Sequence, residues 1–323
     1  QSQNIYIYVM NNPLKYVDST GNTSEELDFD TNIDLGPSKV DLSLEYDDLE
    51  MPKLWVKLFK GVNFREFSDF TVIKVNYEAI KNNTIEFTIH INNKPYLNGK
   101  AMTVKNIIDG LADKENIICG GTGTYFFRFS NNITSFNYRA FGYIINNGKD
   151  MTPEELYSMG PKLDNVKKRF FVGYDNNGFR IGVQSEMLNG NLQWGLGGGT
   201  PIIKNNKFIS SKTLTKKDGL YFQPGQLRKT WHMMMGLNNN NNNNDLYIFM
   251  NTTDIGFRDG VETDRREKAY GFIRDLGLTD VVKFDGGGSA QLWLNNGYYK
   301  QKMKRPMPNI FLIRMLTGEG RTK

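Results

Sequence analysis

The chain has 323 residues, of which 39% are hydrophobic and 23% charged, a composition typical of a globular protein. It has no run of eighteen apolar residues, so no transmembrane segment is expected. The net charge of +5 is spread thinly, and its densest cluster, residues 300–305, has no nucleic-acid recognition motif beside it, so no nucleic-acid partner is expected. One cysteine and two histidines are too few ligands for a Cys/His zinc site.

Residues 1–60 differ in pattern from the rest of the chain. A strand-like run at 5–9 leads into an acidic, turn-rich stretch at 18–34, and an alternating run follows at 40–44. This pattern predicts a small β-rich module, or an arm that docks on a protein partner. The acidic residues fit no regular calcium-binding loop, so we interpret them as solvated surface. A separate domain is predicted over residues 61–323.

The middle of the chain contains alternating runs and glycine- or asparagine-rich turns. Apolar and polar residues alternate at 71–77 and 85–91, which predicts half-buried strands and places His90 on the polar side. The further predicted elements are a helix at 104–111, a glycine-rich segment at 120–127, a helix at 153–159, and hairpins around 175–178 and 189–191.

A seven-residue asparagine tract occupies residues 238–244. It separates two strand-like pieces, 231–237 and 246–251, so the sequence predicts a hairpin whose polar loop projects into solvent. His232 lies in the first piece beside a tryptophan and three methionines. We interpret it as a core histidine, or as one that supports a site from behind, rather than as a catalytic base.

The strongest helical pattern covers residues 263–276 and ends at Gly277. Several carboxylates precede or begin this helix: Asp254, Asp259, Glu262 and Asp264. Favourable charge interactions at a helix start explain most of this enrichment. The same carboxylates could hold a divalent cation, and this alternative stays open.

After this helix, an apolar strand at 281–284 runs into Asp285-Gly286-Gly287-Gly288-Ser289. Three consecutive glycines lose packing and conformational entropy, a loss that is offset when the backbone must approach something closely. Their amides could line an anion pocket, with Asp285 placed as an acid, base or nucleophile and Ser289 as a hydrogen-bond donor. A tight turn capped by Asp285 explains the same residues equally well, so composition leaves both alternatives open.

The order of segments around Asp285 resembles the phosphodiester glycosidase family. In that family a helix ending in Leu-Gly precedes a hydrophobic strand, an Asp-Gly-Gly-Gly-Ser turn, an Arg-Pro-x-x-Asn-like stretch and a final strand. The matching segments here are 276–277, 281–284, 285–289, 305–309 and 310–313. Upstream, segments 61–64, 123–126 and 197–201 are similar to the family's opening, its aromatic turn and its Gly-Gly-x-Pro segment. The resemblance covers about residues 61–315.

The resemblance implies hydrolysis of a sugar-1-phosphodiester bond in a glycan or surface polymer, with no required cofactor. In such a reaction a carboxylate meets the charge that develops on the sugar, while cations and amides hold the phosphate. The implied catalytic carboxylates are Asp285 and Glu267. The implied substrate-binding residues are the phosphate clamps Arg228 and Arg305, the pocket residues Thr230, Gly286, Gly287, Gly288, Ser289 and Asn309, and the sugar contacts Thr122 and Tyr125.

Three positions depart from the family pattern. Thr122 stands where Asn is usual, residues 228–230 contain one residue more than the expected Arg-Thr pair, and Asn251 begins a segment in place of Asp-Gly-Arg. These departures favour an alternative, a non-enzymatic carbohydrate-binding or assembly protein, such as a phage tail or cell-surface component, that keeps the fold. The resemblance alone favours an extracellular, cell-surface or virion-associated location.

For both alternatives we expect an α+β fold. The expected architecture is a mixed, strongly twisted sheet flanked by helices, with the N-terminal segment as a β-rich appendage.

Overall fold

The computed structural model of the protein describes residues 55–92, 94, 96–128, 138–157, 166–209, 229–238, 244–257 and 263–316. They belong to one compact unit, Pro52–Lys323. Within these ranges no helix is both long enough and apolar enough to cross a membrane. Residues 1–54, which contain most of the predicted N-terminal module, lie outside the described part, so that module stays a prediction.

Short strands dominate the described residues. The strands are β1 Val56–Phe59, β2 Val62–Glu66, β3 Phe70–Asn76, β4 Ile85–Ile91, β5 Tyr96–Leu97, β6 Lys100–Ala101, β7 Ile117–Thr122, β8 Phe126–Arg128, β9 Tyr138–Ala140, β10 Ile144–Asn146, β11 Lys149–Asp150, β12 Phe170–Asp175, β13 Gly178–Val183, β14 Trp194–Lys204, β15 Lys207–Phe208, β16 His232–Leu237, β17 Asp245–Asn251, β18 Asp280–Gly286, β19 Gln291–Leu294, β20 Tyr299–Gln301 and β21 Asn309–Met315. The helices are α1 Tyr77–Lys81, α2 Val104–Asp109, α3 Glu154–Tyr157 and α4 Thr263–Asp275.

The fold is mostly β, and the predicted α+β architecture is wrong. Every pair of described strands is antiparallel, where a mixed sheet was expected. Twelve described strands form a large sheet in the order β1-β2-β3-β17-β16-β18-β14-β10-β11, with β12 and β15 also paired to β14 and β13 paired to β12. Five more form a smaller sheet in the order β20-β19-β7-β21-β4. Of the described helices, α4 alone exceeds six residues.

The two sheets share one hydrophobic core. Val75, Met235 and Phe284 of the large sheet belong to the same buried cluster as Phe87 and Phe311 of the small sheet. Burying a large apolar side chain contributes about 1.5–3 kcal/mol. Contacts between the sheets, rather than contacts with helices, therefore supply most of the core.

Two of the described helices, α4 and α2, pack on the sheets in clusters separate from the shared core. α4 packs Ala269, Phe272 and Ile273 with Met234 and Val281 of the large sheet. The helix α2 packs in the same way on the small sheet, where its apolar side chains join a cluster with β7 and β21. These helices add to a fold that the strands define.

Glycines lie inside several of the strands, where local sequence patterns do not reveal a strand. In the glycine-rich segment 120–127, Gly120 and Gly121 lie within β7, which ends just before the expected turn at 123–126. A Cβ on Gly121 would lie 2.6 Å from Phe311 Cε1, and one on Gly199 in β14 would lie 2.1 Å from Val282 Cγ1. These glycines make room for neighbouring core side chains, whereas a glycine-rich sequence is more typical of turns.

Most of the local elements predicted from alternation and capping are confirmed. The strands at 71–77 and 85–91 are β3 and β4, the helix at 104–111 is α2, the helix at 153–159 contains α3, the hairpin at 175–178 joins β12 to β13, and the helix at 263–276 is α4. Gly277, with φ of +70°, follows α4 as expected. The hairpin around 189–191 is wrong, because this segment connects β13 to β14 and β12 pairs between them.

Two further sequence predictions concern β4 and the asparagine tract. Burial, with Arg314 nearby, lowers the pKa of His90 in β4, which favours the neutral imidazole.

β16 and β17 pair as the predicted hairpin. Residues 239–243 of its loop lie outside the described part, so projection into solvent stays a prediction.

The Asp285 segment lies where the chain passes from one sheet to the other. β18 pairs with β16 and β14 in the large sheet, and a single 3-10 turn, Gly287–Ser289, connects it to β19 of the small sheet. β19 pairs with β7, whose last residue is Thr122. The ends of β18 and β7 therefore meet at one corner of the domain.

Candidate active site

Asp285 is the penultimate residue of β18 and is 8% exposed. Its Oδ1 accepts a hydrogen bond from Gly286 N at 2.9 Å. A buried carboxylate requires such bonds, and this one fixes its orientation. The cap predicted by the turn alternative would take the amide two residues on, but the Gly287 amide donates to Trp231 O instead. The observed bond uses one carboxylate oxygen. The other oxygen, Oδ2, is the atom through which Asp285 can act on a ligand.

Two of the three glycines that follow are required by the turn itself. We call Gly286, Gly287 and Gly288 the glycine turn. A Cβ on Gly286 would lie 2.5 Å from Trp231 O, and Gly287 has a φ of +62°, which strongly favours glycine. The Gly287 amide donates to Trp231 O at 2.8 Å, and the Gly286 amide donates to Asp285. Both amides, predicted to bind an anion, thus have protein acceptors.

Gly288 differs from its two neighbours. It is partly exposed, and a Cβ there would meet the ends of side chains, Met303 Sδ at 3.1 Å and Arg305 Cδ at 3.6 Å. Met303 is 56% exposed and can move. The Arg305 guanidinium lies 4.8 Å from the centre of the Phe126 ring. The structure therefore brings one predicted phosphate clamp, Arg305, to the most accessible residue of the glycine turn.

Thr122 holds the exit of the turn. This residue is fully buried, and its Oγ1 donates to Ser289 O and accepts from Gln291 N at 2.9 Å. Its predicted role as a sugar contact is untested, and these bonds give it a supporting role. The buried Ser289 Oγ has no hydrogen-bond partner among the described residues. Such a hydroxyl costs about 1–3 kcal/mol, a cost that a ligand oxygen would remove.

Asn309 organises the turn that follows β7. Its Oδ1 accepts from Thr124 N at 2.8 Å, and it would lie 1.9 Å from a Cβ on Gly123. Thr124 Oγ1 in turn donates to Gly197 O at 2.6 Å, which ties this turn to β14. Asn309 Nδ2 is buried without a hydrogen-bond partner in the described ranges. The role of Asn309 as a substrate contact stays a prediction.

Two buried cations surround Tyr125. Lys283 Nζ donates to the Tyr125 hydroxyl and, at 3.1 Å, to Phe284 O. Arg169 lies across the same ring, with its guanidinium carbon 5.4 Å from the centroid, and donates to Gly198 O at 3.1 Å. Lys283 is 1% exposed and Arg169 is 3% exposed. The predicted sugar contact Tyr125 is thus held by positive charge that sequence reasoning missed.

Lys302 is a further cation at the glycine turn. Its ammonium forms an ion pair with Asp254 and lies 3.3 Å from Thr230 Oγ1. Thr230 Oγ1 is 3.6 Å from the position of a Cβ on Gly287. The structure thus brings Thr230 to the turn as predicted, together with Lys302, which the sequence showed only as part of a basic cluster.

His232 supports the turn from behind. It is fully buried, it is paired with Gly286 across β16 and β18, and its Nε2 lies 2.8 Å from Ile255 O. Because a carbonyl oxygen can only accept, Nε2 donates in this contact. The burial predicted for His232 is confirmed, and its supporting role stays an interpretation.

Asn251, one of the departures from the family pattern, links the same elements. Its Oδ1 accepts from His232 N at 2.7 Å, and its Nδ2 donates to Thr230 O at 2.9 Å and to Thr253 O at 2.5 Å. An ionised aspartate could not donate either of the last two bonds. This departure therefore has a structural reason in the local network.

The remaining predicted residues are not placed in the turn. Glu267 is half-buried on α4, where its carboxylate lies 3.5 Å from Arg266. Arg228 lies outside the described residues, as do Asp259 and Glu262. In the described ranges, no three His, Cys, Asp or Glu side chains are grouped to hold a metal ion. The second carboxylate, the Arg228 clamp and the divalent cation stay predictions.

The missed residues differ in the signal that they left in the sequence. Lys283 is a charged residue within an apolar strand, and that break in the pattern marks it as a buried functional or structural cation. Arg169 precedes two phenylalanines and carries no such signal.

Comparison with known proteins assigns the chain to a class. Residues 116–314 match the model of the phosphodiester glycosidase family. This span is more than half of the 323 residues and includes Asp285, the glycine turn and Arg305. The chain belongs to the phosphodiester glycosidase family, which is a family of hydrolases.

Solved structures of similar proteins are distant in sequence. The catalytic domain of zebrafish N-acetylglucosamine-1-phosphodiester alpha-N-acetylglucosaminidase, auto-inhibited by its pro-peptide, superposes with a TM-score of 0.49 and 14% identity over 79% of this chain and 78% of that chain. A protein from Synechocystis superposes with a TM-score of 0.47 and 12% identity over 81% of this chain and 61% of that chain. Among proteins with curated functions, none matches the sequence significantly.

Proposed function

We propose that the protein hydrolyses sugar-1-phosphodiester bonds in a glycan or surface polymer. Family membership supports the class of reaction. One observation supports the location: Asp285, a carboxylate at the end of β18, leads into the glycine turn, and Gly288 of that turn lies against Arg305. A carboxylate therefore precedes the turn and the side chain of an arginine passes beside its Gly288, and the two halves of this substrate require both kinds of group.

The chemistry assigns one half of the substrate to each group. The bond between the anomeric carbon and the phosphate oxygen breaks, the hydroxyl of water adds to the carbon, and the water proton goes to the phosphate monoester. Oδ2 of Asp285 would stabilise positive charge at the anomeric carbon or form a glycosyl intermediate with it. The guanidinium of Arg305 matches two phosphate oxygens in a bidentate manner. A phosphate monoester leaves readily, so strong acid assistance is less necessary.

The surroundings favour an anionic ligand. Lys283 and Arg169 place positive charge around Tyr125, and Lys302 and Arg305 add more at the glycine turn. Positive charge near a binding site attracts anionic ligands. Ser289 Oγ, which lacks a hydrogen-bond partner in the described part of the chain, would donate to a phosphate or sugar oxygen.

The test measures which bond breaks and whether Asp285 is needed. The protein is incubated with a panel of sugar-1-phosphodiesters, including an N-acetylglucosamine compound, in ¹⁸O-labelled water. Cleavage at the anomeric carbon places the label in the sugar, and cleavage at phosphorus places it in the phosphate. We expect label in the sugar and a loss of kcat/KM of at least about 100-fold in Asp285→Asn.

The matched control is Asp275→Asn, which removes the same charge from an exposed position at the end of α4. It should hydrolyse the panel as the unaltered protein does. Label in the phosphate, or equal turnover by Asp285→Asn, would contradict the proposal.

The alternative is a carbohydrate-binding or assembly protein that has lost the reaction. It was suggested by departures at Thr122 and Asn251, yet both side chains form hydrogen bonds that hold the turn. Saturable binding of sugar phosphates without hydrolysis of any compound on the panel would favour this alternative.

A further inference from the structure

We propose that Lys302 is a second phosphate-binding cation of this site and that Asp254 is the resting counter-ion that a bound phosphate replaces. The inference takes the identity of the substrate from the proposed function. The role of Lys302 itself requires only that a phosphate-containing anion binds at the glycine turn.

The Lys302 ammonium lies beside Thr230, a neighbour of the glycine turn. It is 3.3 Å from Thr230 Oγ1, which lies 3.6 Å from the place of a Cβ on Gly287. Arg305 Cδ lies 3.6 Å from the equivalent place on the next residue, Gly288. The Lys302 ammonium, through Thr230, and the aliphatic part of the Arg305 side chain thus lie beside consecutive residues of one turn, so a phosphate bound at this turn would have both side chains as neighbours.

The segment that contains both cations is hydrogen-bonded through its main chain to the residues after the turn. Lys302 N donates to Ala290 O at 3.2 Å, and Gln291 Nε2 donates to Arg305 O at 2.7 Å. These acceptors and donors are the residues just after the turn. The main chain at 302 and at 305 is therefore fixed to the residues that follow the turn, so both side chains start from fixed points beside it before a ligand arrives.

The ion pair between Lys302 and Asp254 is partly exposed to solvent. The two side chains are 27% and 40% exposed. An ion pair with this exposure contributes little to stability, so opening it costs little. An anionic phosphate oxygen can take the place of the carboxylate, because charge-assisted hydrogen bonds to phosphate are strong. Asp254 would then neutralise Lys302 only while the site is empty.

The test uses inorganic phosphate as the probe and measures its dissociation constant by titration calorimetry on the full chain at low ionic strength. Lys302→Gln should weaken phosphate binding about tenfold, the loss of one charge-assisted hydrogen bond. Lys302→Arg keeps the charge and should stay within about threefold of the unaltered protein. Asp254→Asn removes the competing carboxylate and should tighten binding a few-fold.

The matched control is Lys300→Gln. Lys300 has the same charge two residues away, but its ammonium pairs with Glu66 and lies 5.7 Å from the ring of Tyr298. This variant should bind phosphate nearly as the unaltered protein does. Thermal unfolding of each variant shows that the domain is folded under the conditions of the titration.

The outcomes separate this inference from the proposed hydrolysis. Equal weakening by Lys300→Gln and Lys302→Gln, no weakening by Lys302→Gln, or no phosphate binding by the unaltered protein would overturn the assignment of Lys302. Hydrolysis that depends on Asp285 could still hold in each case. Phosphate binding that depends on Lys302, in a protein that hydrolyses no compound of the panel, would support the anion site and refute the reaction.

Discussion

Two glycine-rich segments meet at the same corner of the domain, and their glycines serve different purposes. In β7, Gly120 and Gly121 make room for buried side chains of α2 and β21. In the glycine turn, Gly286 makes room for a carbonyl and Gly287 supplies a positive φ, whereas Gly288 is required by neither. The comparison teaches that a run of glycines indicates a ligand site only at a position that packing and conformation leave unexplained.

The largest effect should come from Gly286→Ala. Its methyl group would lie 2.5 Å from Trp231 O, the acceptor of the Gly287 amide, so a backbone element must move and this hydrogen bond must weaken. Overpacking and the damaged bond together should lower the free energy of unfolding by about 3–4 kcal/mol. Urea unfolding measures this loss. A change below about 1 kcal/mol would show that the turn accommodates the methyl group easily. Packing would then not explain why residue 286 is glycine.

Gly121→Ala tests the same steric cause in the other segment. The methyl group would lie 2.6 Å from Cε1 of the fully buried Phe311, whose ring has little freedom to move. We expect a loss of about 2–3 kcal/mol in the free energy of unfolding. The second variant Gly121→Ala/Phe311→Leu, in which the ring is removed, should recover part of this loss relative to Phe311→Leu alone. Strict additivity of the two substitutions would refute the steric explanation.

The same distinction shows how much of the fold could be predicted from the sequence. Alternation located β3 and β4, and the apolar stripe with Gly277 located α4, because those patterns depend on neighbours along the chain. The role of Gly121 depends on Phe311, which is 190 residues away, so no local pattern separates this glycine from one in a turn. The extent of the glycine-rich strands β7 and β14 was therefore not visible in the local sequence pattern.

The candidate site shows the same limit. Asp285, the glycine turn and Arg305 were found because they lie in short family segments. Lys302 was seen only as a member of a basic cluster, because its contacts with Asp254 and Thr230 join parts of the chain that are distant in sequence.

A smaller effect is expected at Gly287, where conformation is the cause. A Cβ there would have open space, with Thr230 Oγ1 nearest at 3.6 Å, but φ is +62°. Gly287→Ala should cost about 1–2 kcal/mol of unfolding free energy and Gly287→Asn less, because asparagine tolerates this conformation better. Gly297→Ala, at φ of +89° with no atom within 4 Å, is the matched control and should cost as much as Gly287→Ala. A clearly larger cost at Gly287 would reveal a packing requirement that the geometry does not show.

The smallest effect on stability should come from Gly288→Ala, and this variant decides what the comparison means. The methyl group would meet Met303 Sδ at 3.1 Å, and Met303 is exposed and can turn away, so the free energy of unfolding should change by less than about 0.5 kcal/mol. If Gly288 is glycine so that a phosphate can approach the backbone beside Arg305, the same methyl group should raise KM for a sugar-1-phosphodiester about three- to tenfold.

The double variant Gly288→Ala/Met303→Ala removes the displaced side chain and separates two causes. A KM that stays high shows that the methyl group itself obstructs the ligand, and a KM that returns to that of Met303→Ala shows that the methionine did. An unchanged KM in Gly288→Ala would remove the one glycine that argues for a ligand and leave the segment as a turn required by Gly286 and Gly287 alone.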